Sequence, residues 1–321
     1  MNILLTGCAG FIGFHISRFL LINGYKVFGI DNLNNYYDIE LKKIRLNILK
    51  KHFKNFKFIK ANIEDINKIN IYKNISFKLI IHLGAQAGVQ FSSIKPDLYL
   101  KSNVNAFLEL VLFAKKMKIN KFIYASSSSV YGDSNKKTLK EGFSGNAKSF
   151  YALTKQFNES MATFFSKEIM FVGLRFFTVY GPFGRPDMAV YKFTENIYKN
   201  NQINLYNHGK NFRDYTYIDD LVAAFSRIIK SNKSFMLNTN NIFNIGFSKP
   251  IETNKLVSMI EKITSKKAKI KFSKLNDYDV LSTRASNVKL NSNLGRIPNT
   301  PINKGLQEFI NWYRDYAKIK S

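Results

Sequence analysis

The 321-residue chain has one cysteine and four histidines. Cys8 has no partner for an internal disulfide, a usage expected of a reducing cytoplasm. The histidines (His15, His52, His82 and His208) show no metal-ligand spacing, so no metal is expected. No run of about 18 apolar residues occurs, so no membrane span is expected. The apolar stretch after Met1 lacks a charged leader and a small-residue cleavage site, so a cytoplasmic protein is expected. There is no internal repeat and no low-complexity linker.

Acidic residues are also scarce: 22 Asp and Glu face 49 Lys and Arg, a formal charge of +27. The lysines are scattered among Asn, Ile and Phe, as in "LKKIRLNILKKHFKNFKFIK", which reads as solvated surface. Nucleic acid is therefore not an expected partner. Such a charge speaks to solubility and association; it would raise the encounter rate with anionic substrates such as sugar nucleotides. With 45% hydrophobic residues, the chain is globular and long enough for two domains or one large one.

Short apolar runs alternate with amphipathic stretches. Strands are expected at 2–7, 26–31, 56–63, 78–85, 121–127 and 169–177. Helices are expected after the first strand and over 38–52, 103–119 and 149–167. Strands alternating with helices imply right-handed crossovers and a parallel sheet covered on both faces. The expected fold is α/β: a Rossmann-type doubly wound parallel sheet, 1–178, with a smaller α/β substrate domain, 179–212 and 246–316. Residues 213–245 are expected to return to the first domain.

"TGCAGFIG" places Gly7, Gly10 and Gly13 between the first strand and the first helix. Glycines there let the backbone approach a pyrophosphate, and the helix N-terminus supplies free N–H groups. The next strand ends in Asp31. A carboxylate about 20 residues on accepts hydrogen bonds from the adenosine ribose and repels a 2′-phosphate, which favours NAD over NADP. "YALTK" sets Tyr151 and Lys155 four apart, on one helix face. A lysine cation stabilises phenolate and lowers the tyrosine pKa, so the pair can act as general base on a sugar hydroxyl. Ser127, at the end of a neighbouring strand, can share that hydrogen bond.

Together "TGCAGFIG", Asp31, "YASSSSVYG" and "YALTK" resemble the extended short-chain dehydrogenase/reductases, in the NAD-dependent epimerase/dehydratase branch. "IDNLNNYYDIELKKIRL", "HLGAQAGV", "LRFFTVYGPFGRPDMA" and "YNHGKNFRDYTYIDD" narrow the resemblance to bacterial UDP-glucuronate 4-epimerases. It runs from residue 1 to about 316. It implies Tyr151, Lys155 and Ser127 as the catalytic residues. For NAD it implies Gly7, Gly10, Phe11, Ile12, Gly13, Asp31, Asn32, Asn62, Ile63, Ala85, Gln86 and Asn103, with Tyr151 and Lys155. For the UDP-sugar it implies Ser126, Ser128, Thr178, Arg185, Tyr206 and Arg213: Thr178 stands where neutral-sugar epimerases carry Asn, Tyr206 where a side chain packs on uracil, and Arg213 matches the diphosphate arginine. Gln90 and Asn62 depart from the family, which has a basic residue and an Asp there, and Arg284 receives no role. The resemblance further implies a homodimer joined through a four-helix bundle.

Related dehydratases and decarboxylases carry an acid between the catalytic hydroxyl and the following "VYG". Here Ser128 and Ser129 stand there, and neither exchanges a full proton near pH 7. The expected reaction is therefore oxidation and re-reduction at one carbon: C4 epimerisation of UDP-glucuronate to UDP-galacturonate, for surface polysaccharide precursors. A 4-epimerase of a neutral or N-acetylated UDP-sugar is the alternative within the fold. A non-catalytic NAD-binding scaffold is the alternative of another class.

Overall fold

The structure is a computed structural model that describes residues 1–134, 137–231, 240–274 and 280–320. The chain opens with β1 (Asn2–Thr6), α1 (Phe11–Ile22), β2 (Lys26–Asp31), α2 (Ile39–His52), β3 (Phe56–Lys60) and β4 (Phe77–His82). Two short helices, α3 (Phe91–Ile94) and α4 (Pro96–Tyr99), precede α5 (Ala106–Lys116), β5 (Lys121–Ser127), α6 (Phe150–Phe164) and β6 (Met170–Phe176). Then come β7 (Thr178–Tyr180), α7 (Ala189–Tyr198), β8 (Gln202–Tyr206), β9 (Phe212–Arg213), β10 (Tyr215–Tyr217) and α8 (Ile218–Lys230). The last elements are β11 (Asn240–Ile245), β12 (Ile251–Glu252), α9 (Thr253–Thr264), β13 (Lys269–Ser273), α10 (Val288–Leu294) and α11 (Ile302–Lys320).

Seven strands form one sheet in the order β11-β6-β5-β4-β1-β2-β3. The pairs β1–β2, β1–β4, β2–β3 and β4–β5 are parallel. The order reverses between β1 and β4, where the chain steps to the other side of β1; in open α/β sheets, ligands bind beyond the strand carboxyl ends at such a switch. β1 is apolar and buried from Ile3 to Leu5 because it is covered on both faces. Leu4, Ile80, Phe107, Leu110, Phe122, Tyr124 and Phe171 join one core under α5.

Several expected elements are shorter in the structure. β3 ends at Lys60 and β4 at His82. Residues 61–62 and 83–85 instead continue as loops at the carboxyl edge, and Ile63 opens a 3-10 turn, Ile63–Lys68. The long helix expected from 103 begins as a π-helical turn, Leu100–Asn105, before α5. Such turns concentrate at functional positions.

The chain divides into two compact units: 1–130, 149–175 and 230–243 in the first, 131–148, 176–229 and 244–321 in the second. Residues 213–229, expected to return to the first domain, group with the second unit instead. The reason is pairing: β10 lies parallel to β7, with Tyr215 opposite Thr178 and Tyr217 opposite Tyr180. The stretch 131–148 also belongs to the second unit, where Leu139 donates its N–H to the Arg284 carbonyl. Residues 232–239 of the expected return lie outside the described residues. Among the described residues, no helix is long and apolar enough to cross a membrane.

Candidate active site

The glycine turn after β1 is built by close backbone approach. Gly7 has φ +75°, and a Cβ on it would lie 2.6 Å from the Gly84 nitrogen. A Cβ on Gly13 would lie 1.9 Å from the Gly7 carbonyl oxygen. Neither position admits a side chain. Gly10 caps α1 with no side-chain hydrogen bond, so the first N–H groups of Phe11, Ile12 and Gly13 are left for an anion.

Asp31, at the end of β2, turns toward this loop. Its carboxylate accepts from Ala9 N at 3.1 Å and from Leu33 N at 2.9 Å. Burial pushes the carboxyl above its ordinary value; the Leu33 N–H, the Lys42 cation, the Ala9 N–H and the Arg45 cation hold it back. Asn32 donates to Asn62 Oδ1 at 3.1 Å, so the two asparagines meet beyond the ends of β2 and β3. A Cβ on Gly84 would meet Ile63 Cδ1 at 2.4 Å, which puts Ile63 against the same edge. The cradle admits no Cβ, the helix N-terminus is bare, and a carboxylate stands one strand away. These residues fit an adenine dinucleotide without a 2′-phosphate.

Ala85 and Gln86 follow β4 in a loop held from the π-helical turn. Asn103 Oδ1 accepts from Gln86 N at 2.8 Å, and Asn103 Nδ2 donates to Gln86 O and to Thr154 Oγ1, each at 3.1 Å. Asn103 thus ties the cofactor-edge loop to α6, one residue before Lys155.

α6 begins with Ser149 accepting from Ala152 N at 3.1 Å, a helix cap. Tyr151 is half-buried, with its ring edge-on to Tyr99 at 6.2 Å between centroids. Lys155 is 1% exposed. Its Nζ lies 5.8 Å from the Tyr151 ring centroid and donates to the Ala125 carbonyl at 2.9 Å. Burial brings the ammonium down to about 8, and Glu159 works against that. The pair therefore sits inside the first unit with the cation facing the end of β5.

The four serines do different things. Ser126 was expected to meet substrate, but its Oγ donates to Glu159 Oε1 at 2.6 Å in the interior. Ser127 ends β5; its Oγ accepts from Ser129 N at 3.1 Å and lies 3.0 Å from Ser129 Oγ. Ser128 opens the 3-10 turn Ser128–Tyr131. The split follows from strand geometry, since consecutive side chains point to opposite faces.

In the second unit, Thr178 opens β7 and donates its N–H to the Asp214 carbonyl at 3.0 Å. Thr178 and Arg185 line one small cavity with Tyr180, Gly181, Met188 and Phe309. Arg185 is held by Asp187 in a two-pronged ion pair, 3.0 and 2.5 Å. Tyr206 ends β8 and is partly exposed. Arg213 donates to the Phe212 carbonyl at 3.0 Å. Beside it, buried Asp214 accepts from the N–H groups of Phe247, Ser248 and Ala285.

Two cations were not singled out from sequence. Lys42 Nζ donates to both Asn34 O and Asn34 Oδ1 at 2.7 Å. Arg45 is fully buried and donates to the Ala9 carbonyl at 2.9 Å and to Tyr37 OH at 2.8 Å. The signal was there: Leu41, Lys42, Arg45, Leu46 and Leu49 fall on one helical face, so its cations had to be inside.

A phosphate-ready glycine turn, a carboxylate on the next strand and a Tyr–Lys pair on one helix face define a nicotinamide-dinucleotide enzyme that works on a hydroxyl carbon. Residues 3–246 match the model of the NAD dependent epimerase/dehydratase family, and the chain belongs to that family. It is 46% identical over 318 residues to an uncharacterized protein of Methanocaldococcus jannaschii, covering 97% of this chain and 96% of that one. It is 35% identical over 321 residues to the UDP-glucuronate 4-epimerase of Thermodesulfobacterium geofontis, covering 98% and 97%. Its fold superposes on the crystal structure of UDP-glucuronic acid 4-epimerase from Bacillus cereus in complex with UDP-glucuronic acid and NAD, with TM-score 0.92, 29% identity and coverage of 98% and 100%.

Proposed function

We propose that this protein is an NAD-dependent isomerase that interconverts UDP-glucuronate and UDP-galacturonate by epimerisation at C4. The observation that carries the reading is the catalytic edge of the first unit. A buried lysine stands one turn from Tyr151, and Ser128 and Ser129 occupy the places where eliminating or decarboxylating relatives carry acids.

NAD, when bound, supplies a reversible hydride acceptor for the sugar C4. Gly7, Gly10, Phe11, Ile12 and Gly13 would hold its pyrophosphate. Asp31, Asn32, Asn62 and Ile63 would hold its adenosine, and Ala85, Gln86 and Asn103 would line the remainder. Tyr151 takes the proton from the 4-hydroxyl as a phenolate and returns it to the opposite epimer. The Lys155 charge favours that phenolate, and Ser127 shares the hydrogen bond to the reacting oxygen. Arg213 would hold the diphosphate, Tyr206 would pack on uracil, and Thr178 and Ser128 would offer hydroxyls to the C6 carboxylate. Hydride leaves and returns at one carbon, so no net oxidation occurs.

Incubation with UDP-glucuronate should yield UDP-galacturonate with no accumulation of NADH and no carbon dioxide. Denaturation of the purified protein should release NAD(H) rather than NADP(H). Lack of conversion, or equal affinity for the two dinucleotides, would overturn the reading. Because Lys155 must stay charged, activity should fall as pH rises through about 8.

The same reading includes a homodimer in the cytoplasm, feeding surface polysaccharide synthesis. Leu153 and Phe157 on α6 are half exposed and Phe164 is 79% exposed; at spacings of four and seven they form one stripe. Leu108 and Leu112 form a matching pair on α5, 38% and 42% exposed. Apolar stripes on two helices suit a symmetric four-helix bundle. Light scattering at micromolar concentration should give twice the chain mass, and Phe157→Asp should give the monomer. A monomeric wild type would contradict the dimer.

A further inference from the structure

Behind the catalytic pair lies a charge that the mechanism above does not use. Glu159 is 7% exposed and Arg175, on β6, is 2% exposed. Arg175 Nε donates to Glu159 Oε1 at 2.9 Å and Nη2 to Oε2 at 2.7 Å. The same carboxylate accepts from Ser126 Oγ. The α6 backbone is anchored at this point as well: Asn240 Nδ2 donates to the Glu159 carbonyl at 3.0 Å, and Asn240 Oδ1 accepts from Tyr124 OH at 3.0 Å. Glu159 sits four residues beyond Lys155 and eight beyond Tyr151, so all three share one helix face.

We propose that Glu159 is a positioning residue: its carboxylate, clamped by Arg175, is the buried counter-ion of Lys155 and pins the end of β5 that presents Ser127. Lys155 already donates to Ala125, the residue before Ser126, so the helix grips β5 at two successive residues. The ammonium makes the Ala125 contact and Glu159 the Ser126 contact. That double grip fixes how far Ser127 stands from Tyr151. The carboxylate accepts three hydrogen bonds, two of them charge-assisted bonds from a guanidinium.

Among the described residues, the groups bearing on Lys155 come from several elements. Tyr151 and Glu159 come from α6, and the Ala125 carbonyl from β5. Asn103 and Thr154 are neutral neighbours. His82, on β4, donates to or accepts from Thr6 Oγ1 at 2.8 Å, and burial and the Lys155 charge bring its ring down to about 3, so it stays neutral. Arg175 stands behind Glu159. Among these Glu159 is the anion, and it opposes the loss of the Lys155 proton that burial promotes.

The inference rests on the catalytic roles proposed above, but its test does not need turnover. Glu159→Gln keeps an acceptor for Ser126 while removing the charge. In the folded protein, nitrogen-detected NMR of the lysine amines reads the Lys155 titration directly, with the signal assigned by its loss in Lys155→Met. The Lys155 midpoint should fall by about one pH unit or more in Glu159→Gln. In the activity assay, the basic limb of the kcat profile should move down by the same amount while KM changes little. Because Glu159→Gln leaves Arg175 without its partner, Glu159→Gln with Arg175→Met removes both charges and covers loss of folding; the midpoint should fall there too. Asn240→Ala, which loosens the helix without changing charge, should leave the midpoint in place. An unchanged midpoint in either folded Glu159 variant would overturn the proposal. A wild type that titrates as expected but does not epimerise UDP-glucuronate would overturn only the function proposed above.

Discussion

Tyr151→Phe should lower kcat by about 10²–10⁴-fold, the usual worth of a positioned general base, with the fold and NAD binding intact. The substitution removes one hydroxyl from a half-buried ring and leaves its edge-on contact with Tyr99 in place. The change is one atom on a half-buried side chain, so thermal unfolding should move little. Lys155→Met should lose activity for a different reason. The methionine fills similar space but cannot donate to the Ala125 carbonyl or stabilise the phenolate. Its remaining activity should rise with pH beyond the wild-type optimum, because the tyrosine must then ionise unaided. Steady-state kinetics across pH, with dinucleotide titration as a control, check both. Tyr151→Phe activity within a few-fold of wild type would remove Tyr151 from the base role.

The second large effect concerns the sugar. The ratio of kcat/KM for UDP-glucuronate over UDP-glucose should be large, up to about 10⁴, because a site built for a carboxylate leaves polar groups unpaired around a neutral hexose. Charge-assisted hydrogen bonds of this kind are worth about 1.5–3 kcal/mol each. Ser126 is turned to Glu159 and Arg185 is paired with Asp187, so both should contribute less to that recognition than Ser128 and Thr178. The preference then falls chiefly on Ser128 and Thr178, so Thr178→Asn should shrink the ratio and Arg185→Lys should change it far less. Kinetics with both substrates on wild type and variants measure this. A wild type that prefers UDP-glucose would replace the hexuronate reading with the neutral-sugar one.

The parallel sheet and the glycine turn were legible from residues alone. Short apolar runs at 2–7 and 26–31, with glycines at 7, 10 and 13, report local preferences, and local preferences do not need the rest of the chain. The Tyr151–Lys155 pair was legible for the same reason: helix geometry puts i and i+4 side by side wherever the helix sits. The extent of elements was less legible. β3 stops at Lys60 where its partner β2 ends, and β4 at His82 where its partner β1 ends, which is a property of neighbouring strands.

What the sequence determined by itself is therefore the local chemistry of each edge: the glycine turn, the Asp31 carboxylate at the end of the next strand, the Tyr151–Lys155 pair on one helix face, and serines in place of acids. The tertiary structure decided how those pieces are supported. It turned Ser126 inward to Glu159 while leaving Ser127 at the strand end, closed Arg185 on Asp187, and placed Lys42 and Arg45 under the Asp31 loop. It also grouped 213–229 with the second unit through the β7–β10 pair. The physical reason is the range of the forces. Backbone sterics and helical spacing act over a few residues, whereas the partner of a buried charge is chosen by desolvation among groups far apart in the chain.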